Sequence, residues 1–362
     1  GALIAALGSA RVDAWAALWP NDVFQIQISG KPMAKDFSTM EDSNRSANPS
    51  IHDVIAQSAS APDRRQVLQG AGLLGLLALL QPLTACTTPA AASPRGTLGF
   101  TGIAPGVGDK LVLPPGYIAQ VLAAWGEPIG IAGQMPAFRM DGSNSAEDQA
   151  VQLGMHHDGM EFFALNGSSS HGLIALNHEY TDDGLLHPDG FLPMTPAKVR
   201  KSQNAHGLSV YEVQRQGKGT DAKWAMVRPS TYARRFTLQT PFEVTGPAAG
   251  HPLLRTTADP QGRTVLGTLN NCASSQTPWG TYLSGEENWN GYFNTSNKPT
   301  PQELRYGMRN KGWGYQWHDF DTRFDAVVEP NEAHRFGWVV EIDPKDPSQM
   351  PVKRTALGRF KH

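Results

Sequence analysis

The fold class this chain predicts is all-β, a β-propeller, and three observations point there. Its 362 residues include 37 glycines and 27 prolines, well above the usual combined share of about 12%. No long amphipathic helical pattern recurs, so short strands joined by tight turns are expected. Glu179, Glu287 and Glu341 stand near the ends of predicted strands at intervals of 108 and 54 positions. That spacing fits a repeat slightly longer than the roughly 40–50 residues of a propeller blade. Such a ring would bring carboxylates from different blades to one central channel. A sandwich or double-sheet barrel is the alternative.

The elements follow in chain order. Residues 1–62 read as a disordered leader, polar and Ser/Ala-rich from Glu41 onward, with Met33 and Met40 as alternative translation starts. Residues 63–94 read as a twin-arginine export signal: Arg64-Arg65 precede the uncharged run 70–80. That run is far shorter than the ~20 residues a membrane helix needs, and Pro82 soon follows it. Leu83-Thr84-Ala85-Cys86 resembles a lipobox, whose cysteine would carry a lipid anchor, whereas the small residues 87–94 suit ordinary cleavage. Both place the mature protein in the periplasm or outside the cell, after passage through the twin-arginine export machinery. Residues 95–362 are expected to be the N-terminal part of one propeller domain, truncated at Lys361-His362, where the chain stops with no tail or turn.

Within that domain, strands are predicted at 161–165 and 172–179, joined through Asn166-Gly167 as a hairpin. A second hairpin joins 207–213 to 224–227 through Gly217 and Gly219. Two further strands are expected at 280–283 and 337–344. The formal charge is −2, and no basic stripe interleaved with aromatic residues occurs, which speaks against nucleic-acid binding.

The chemistry concentrates at 270–291. Cys86 and Cys272 are the two cysteines, and lipidation or cleavage at Cys86 takes Cys272 out of any internal disulfide. A small buried hydrophobe is the ordinary fate of such a cysteine. Here Asn270, Asn271, Thr277 and Trp279 surround it with polar and turn residues, which favours a metal-ligating thiolate. Glu286 and Glu287 would point to opposite faces of a regular strand. Flanked by Gly285 and Asn288-Trp289-Asn290-Gly291, they are read as a loop or bulge that lets both carboxylates turn toward one cation site. A thiolate beside carboxylates suits a mixed metal centre. Glu179, ending its strand, is a further candidate ligand. His156 and His157 are read as hydrogen-bonded structure, as are His206 and Arg335. Glu212 and Glu341 are read as solvent-facing on edge strands. Arg354 is a candidate for binding phosphate. No Gly-x-Ser-x-Gly elbow and no P-loop pattern occurs, which argues against a serine hydrolase or a nucleotide-driven motor.

Several longer motifs carry a family resemblance. Arg64-Arg65, Leu113-Pro114-Pro115-Gly116-Tyr117, His157-Asp158-Gly159-Met160, Leu176-Asn177-His178-Glu179-Tyr180-Thr181, Ala205-His206-Gly207-Leu208, Asn271-Cys272-Ala273, Thr277-Pro278-Trp279-Gly280-Thr281-Tyr282, Glu286-Glu287-Asn288-Trp289 and the closing stretch from Arg354 occur in an order that resembles the PhoX bacterial alkaline phosphatases. The resemblance implies an exported, six-bladed propeller that uses Fe3+ and Ca2+ to hydrolyse phosphate monoesters. It implies Cys272 as an iron-binding thiolate, and Glu179, Glu286 and Glu287 as metal-binding carboxylates. Two other functions fit an exported propeller: a calcium-dependent lactonase or phosphotriesterase, and a non-catalytic binding protein.

Overall fold

The computed structural model describes residues 102–108 and 110–359. The leader, the twin-arginine segment with Arg64 and Arg65, and Cys86 lie outside the described residues. The chain divides into two units, Gly1–Gly116 and Tyr117–His362. The described residues of the first carry no helix or strand, and all elements below belong to the second. No helix among the described residues is long and apolar enough to cross a membrane.

Two sheets form the unit. The first runs β1 (His157–Ala164), β2 (His171–His178), β3 (Gly207–Gln216) and β4 (Lys223–Met226), each antiparallel to the next, with β5 (Arg234–Phe236) also paired to β3. The predicted β1–β2 hairpin forms as expected. Asn166 and Gly167 both take positive φ, 52° and 70°, the turn geometry that matches strand twist and that asparagine and glycine tolerate best. The β3–β4 hairpin turns through Gly217 and Gly219, also at positive φ.

The second sheet has six strands in the order β7-β6-β11-β10-β9-β8. These are β6 (Pro241–Thr245), β7 (Thr264–Leu266), β8 (Asn271–Gln276), β9 (Tyr282–Glu286), β10 (Val339–Ile342) and β11 (Val352–Arg354). The run β8 to β11 is an antiparallel meander, and β11 adds β6 in parallel.

Both faces of β2 are covered. Leu173 and Ala175 join Phe163, Leu208, Val210 and Phe236 against Phe242, Tyr282, Val340 and Ile342 of the second sheet. Ile174 and Leu176 face the other way, onto Ile129, Leu153, Tyr211 and Val213. A strand buried on both sides has no polar face to alternate with, which explains the unbroken apolar stretch in its sequence. A third, aromatic cluster of Trp289, Tyr292, Phe293, Trp317, Phe324 and Phe336 packs beside these.

Three expectations are corrected. Glu212 is not on an edge, because β3 is bonded to β2, β4 and β5; its carboxylate takes His171 at 2.6 Å and Ser230 at 2.5 Å. Glu341 lies on the interior strand β10, 6% exposed, and accepts from Trp279, Thr281 and Arg354. The interval of 54 from Glu287 to Glu341 therefore does not separate equivalent points of a repeat: β9 and β10 are neighbours in one sheet, with Glu341 opposite Leu283.

Candidate metal centre

Four chain segments converge on Cys272. β8 begins at Asn271, and its register against β9 shifts between Asn271 and Ser274, so that Cys272 sits in a bulge. The extra residue turns the thiol out of the regular ladder. It points toward β1, where Gly159 lets the two backbones approach: a Cβ there would stand 2.5 Å from the Cys272 carbonyl and 2.6 Å from Ser274 Cβ. Asn177, at the end of β2, donates from Nδ2 to the Cys272 carbonyl at 2.6 Å. Tyr282 donates its hydroxyl to Asn177 Oδ1 at 2.7 Å and to the Gly159 carbonyl at 2.9 Å. These bonds lock the ends of the two sheets together around the sulfur.

Into that corner come the ligand-type atoms of Asp158, Glu179 and Cys272, all within 4.8 Å of one another. Cys272 is 6% exposed, Glu179 half-buried and Asp158 exposed. The thiol donates to Asp158 Oδ2 at 2.8 Å. Burial first, then Asp158 and Glu287, push the Cys272 thiol far above its ordinary pKa. A buried thiol facing carboxylates keeps its proton; a cation in the same place would replace that proton and reverse the electrostatics.

The donor set fits a metal. Ligands 2.0–2.5 Å from one ion lie at most about 5 Å apart, and the three atoms meet that bound. One sulfur with carboxylate oxygens suits iron or another borderline ion, whereas calcium takes oxygen alone.

The sequence-predicted residues divide. Cys272, Glu179 and Glu287 come together, Glu287 through its interaction with the thiol. Glu286 does not join them. It points into the core, fully buried, where Oε1 meets Lys353 Nζ at 2.7 Å and Oε2 accepts from the Trp338 amide at 3.1 Å. The reading of both glutamates as turned to one side is thus corrected: strand alternation holds through Glu286. Arg354, the candidate phosphate binder, is held by Glu341 at 2.5 Å and by Thr245 at 3.3 Å. His156 stacks on Tyr180 with ring centroids 3.8 Å apart, and His157 Nε2 contacts the Gly154 carbonyl at 3.1 Å. Burial lowers the pKa of both histidines. His206 is structural as expected, its ring between the Ser202 carbonyl and the Tyr292 hydroxyl and its pKa pushed down to about 3 by burial. Arg335 likewise pairs with Glu332 and Asp259.

Asp158, which supplies a candidate ligand atom, is not among the residues that the sequence singles out as ligands. The following glycine permits the close approach, but its partners Cys272 and Asn177 are brought near only by folding.

With this geometry in view, comparison with known proteins places the chain. The family model for alkaline phosphatase PhoX matches residues 98–362. The chain belongs to the PhoX family. Among solved structures, the PhoX of Pseudomonas fluorescens in complex with vanadate, a transition state analogue, is similar at 46% sequence identity with a TM-score of 0.69. That likeness covers 73% of this chain and 45% of the other, so the chain spans less than half the length of that PhoX. No curated protein matches.

Proposed function

We propose that this chain is part of an exported, metal-dependent alkaline phosphatase that hydrolyses phosphate monoesters to inorganic phosphate. The observation that carries the reading is the thiol of Cys272 with the carboxylates of Asp158 and Glu179 inside 4.8 Å in a chain of the PhoX family. A relative that binds vanadate as a transition state analogue supports phosphoryl transfer as the chemistry. Fe3+ at the sulfur and Ca2+ at oxygen-rich positions would supply positive charge to neutralise phosphate oxygens. Cys272, Asp158, Glu179 and Glu287 would hold those ions. Asn177 and Tyr282 fix the backbone around the sulfur, so that the ligand atoms are placed before a substrate arrives. The sulfur counts against the calcium-only lactonase reading, since a site for calcium alone has no use for a thiolate.

The proposal includes the propeller. Two four-stranded antiparallel meanders, β1 to β4 and β8 to β11, are consistent with blades. It also includes export through Arg64-Arg65, to be tested by fusing residues 1–94 to a reporter and replacing both arginines by lysine; unchanged export would contradict it.

For the chemistry, p-nitrophenyl phosphate hydrolysis by the full chain, and by a longer form extended to the length of its relative, should fall at least 100-fold on chelation and recover when iron and calcium return. Cys272→Ser should remove the thiolate-to-iron absorption of the loaded protein. Activity indifferent to both metals would overturn the reading.

A further inference from the structure

We propose that Asn270 is a positioning residue that sets the spacing of the Glu179, Cys272 and Glu287 segments; the proposal rests on the metal reading of that centre. Asn270 lies two residues before Cys272, is 3% exposed and holds a left-handed backbone, φ +50°. Asparagine is among the few residues other than glycine that adopt this conformation readily. The turn it makes delivers the chain into the bulge that presents the sulfur.

Its polar atoms reach each of the other segments. The Asn270 carbonyl accepts from the Glu287 amide at 2.8 Å, and Oδ1 accepts from the Asn288 amide at 2.6 Å. Nδ2 donates to the Glu179 carbonyl at 3.5 Å and to the Tyr292 hydroxyl at 3.1 Å. Tyr292 is itself held by His206 Nε2 at 3.0 Å and stacked on Tyr315 with centroids 4.4 Å apart. The side-chain amide is therefore clamped to a rigid aromatic wall on one side and grips the backbones of Glu179 and Asn288 on the other, while the main-chain carbonyl of the same residue holds Glu287. From Glu179 the chain of bonds continues: its amide donates to the His156 carbonyl at 3.0 Å, two residues before Asp158. One buried residue, through its side chain and its carbonyl, thus ties together the Glu179 and Glu287 segments, which are 108 positions apart in sequence. Outer partners of this kind hold ligand groups at the spacing that a metal requires.

Substitutions separate the side chain from the backbone turn. Asn270→Gly keeps the left-handed conformation and removes the amide; Asn270→Asp keeps the Oδ1 acceptor and removes the two donated bonds. The full chain, stripped with chelator, would be titrated with Co2+, following the thiolate-to-cobalt absorption band, with circular dichroism melts run on each variant. Asn270→Gly is expected to fold and to bind Co2+ at least tenfold more weakly with a shifted band, and Asn270→Asp to fall between it and the wild type. A folded glycine variant with wild-type affinity and an unshifted band would overturn the proposal; should that variant not fold, wild-type behaviour in Asn270→Asp would do the same. Failure of both to fold would also overturn it, because Asn270 would then be a folding residue rather than a positioning one. A wild-type chain that shows no Cys272-dependent band would instead sink the metal reading itself.

Discussion

At Gly159 a single missing methyl group decides how near Asp158 comes to the sulfur. A Cβ at that position would meet the Cys272 carbonyl at 2.5 Å and Asn177 Nδ2 at 2.7 Å, and backbone cannot step aside as a flexible side-chain tip can. Gly159→Ala should destabilise the chain by about 1–3 kcal/mol in urea unfolding and lower Co2+ affinity as well; stability and affinity both equal to wild type would show that the close approach does not matter. A second residue-scale prediction concerns Asp183 and His187, buried with Oδ1 4.0 Å from Nε2. Burial raises the Asp183 carboxyl to about 6 and drops the His187 imidazole to about 4. For Asp183 the folded state binds the proton more tightly than the unfolded one, so its contribution falls as pH rises from about 4 to 6. For His187 the folded state binds it less tightly, so its contribution falls as pH drops from about 6.5 to 4. The two oppose one another in that window. Asp183→Asn should leave the histidine alone in control: melting temperature would climb more steeply between pH 4 and 6.5 than in wild type, with a gain of about 1–3 kcal/mol at pH 7. A variant with the wild-type slope would refute this. Cys272 and Glu287 were legible in sequence because polar turn residues frame them. Asp158 and Asn270 were not, since the partners that give them meaning are brought near only by folding.

Elements differ in how far the sequence reveals them, for physical reasons. Hairpins β1–β2 and β3–β4 announced themselves through turn residues whose backbone needs are local. The helix Pro196–Ala205 went unread although Thr195 caps it and Pro196 sits in its first turn. Its buried side is polar: Lys201 Nζ donates to the Gly142 and Leu186 carbonyls at 2.6 and 2.7 Å, and Asn204 Nδ2 to Ala146 at 2.8 Å. A helix that buries amines and amides on carbonyls shows no apolar stripe. Glu286 makes a similar point on β9. Its partner Lys353 on β11 is fully buried, 4.0 Å from the centre of the Phe336 ring, and no spacing in the sequence pairs them. Because both charges are out of water, removing one strands the other. Lys353→Met should cost about 3–5 kcal/mol in thermal or urea unfolding. The double change with Glu286→Gln, which keeps an acceptor for the Trp338 amide, should recover most of that loss. A double variant no more stable than the single one would show that the buried charge on Glu286 is not what destabilises it.

Across the whole molecule the candidate ligands belong to different sheets. Asp158 is on β1 and Glu179 follows β2, in the five-stranded sheet; Cys272 is on β8 and Glu287 follows β9, in the six-stranded one. The apolar layer around Phe163, Phe242, Tyr282 and Val340 packs the sheets together, and the Asn177 and Tyr282 bonds join them at the site end. This arrangement explains why regular spacing of glutamates misled: the carboxylates that gather do so through packing of one sheet on another, while Glu341 is drawn away to Arg354 within its own sheet. It also makes metal binding a matter of global stability. A cation held by both sheets binds the folded chain and not the unfolded one, so it should stabilise by RT ln(1 + [L]/Kd), about 2.7 kcal/mol at one hundred times Kd. In a folded unit of this size that corresponds to a rise of roughly 5 °C in melting temperature. Chelation should reverse the rise. Cys272→Ser, close to the wild-type side chain in size, should melt near the metal-free wild type and respond weakly when metal is added. A melting temperature that ignores metal in the wild type, or rises equally in the serine variant, would mean that the ion is not held between the sheets through this sulfur.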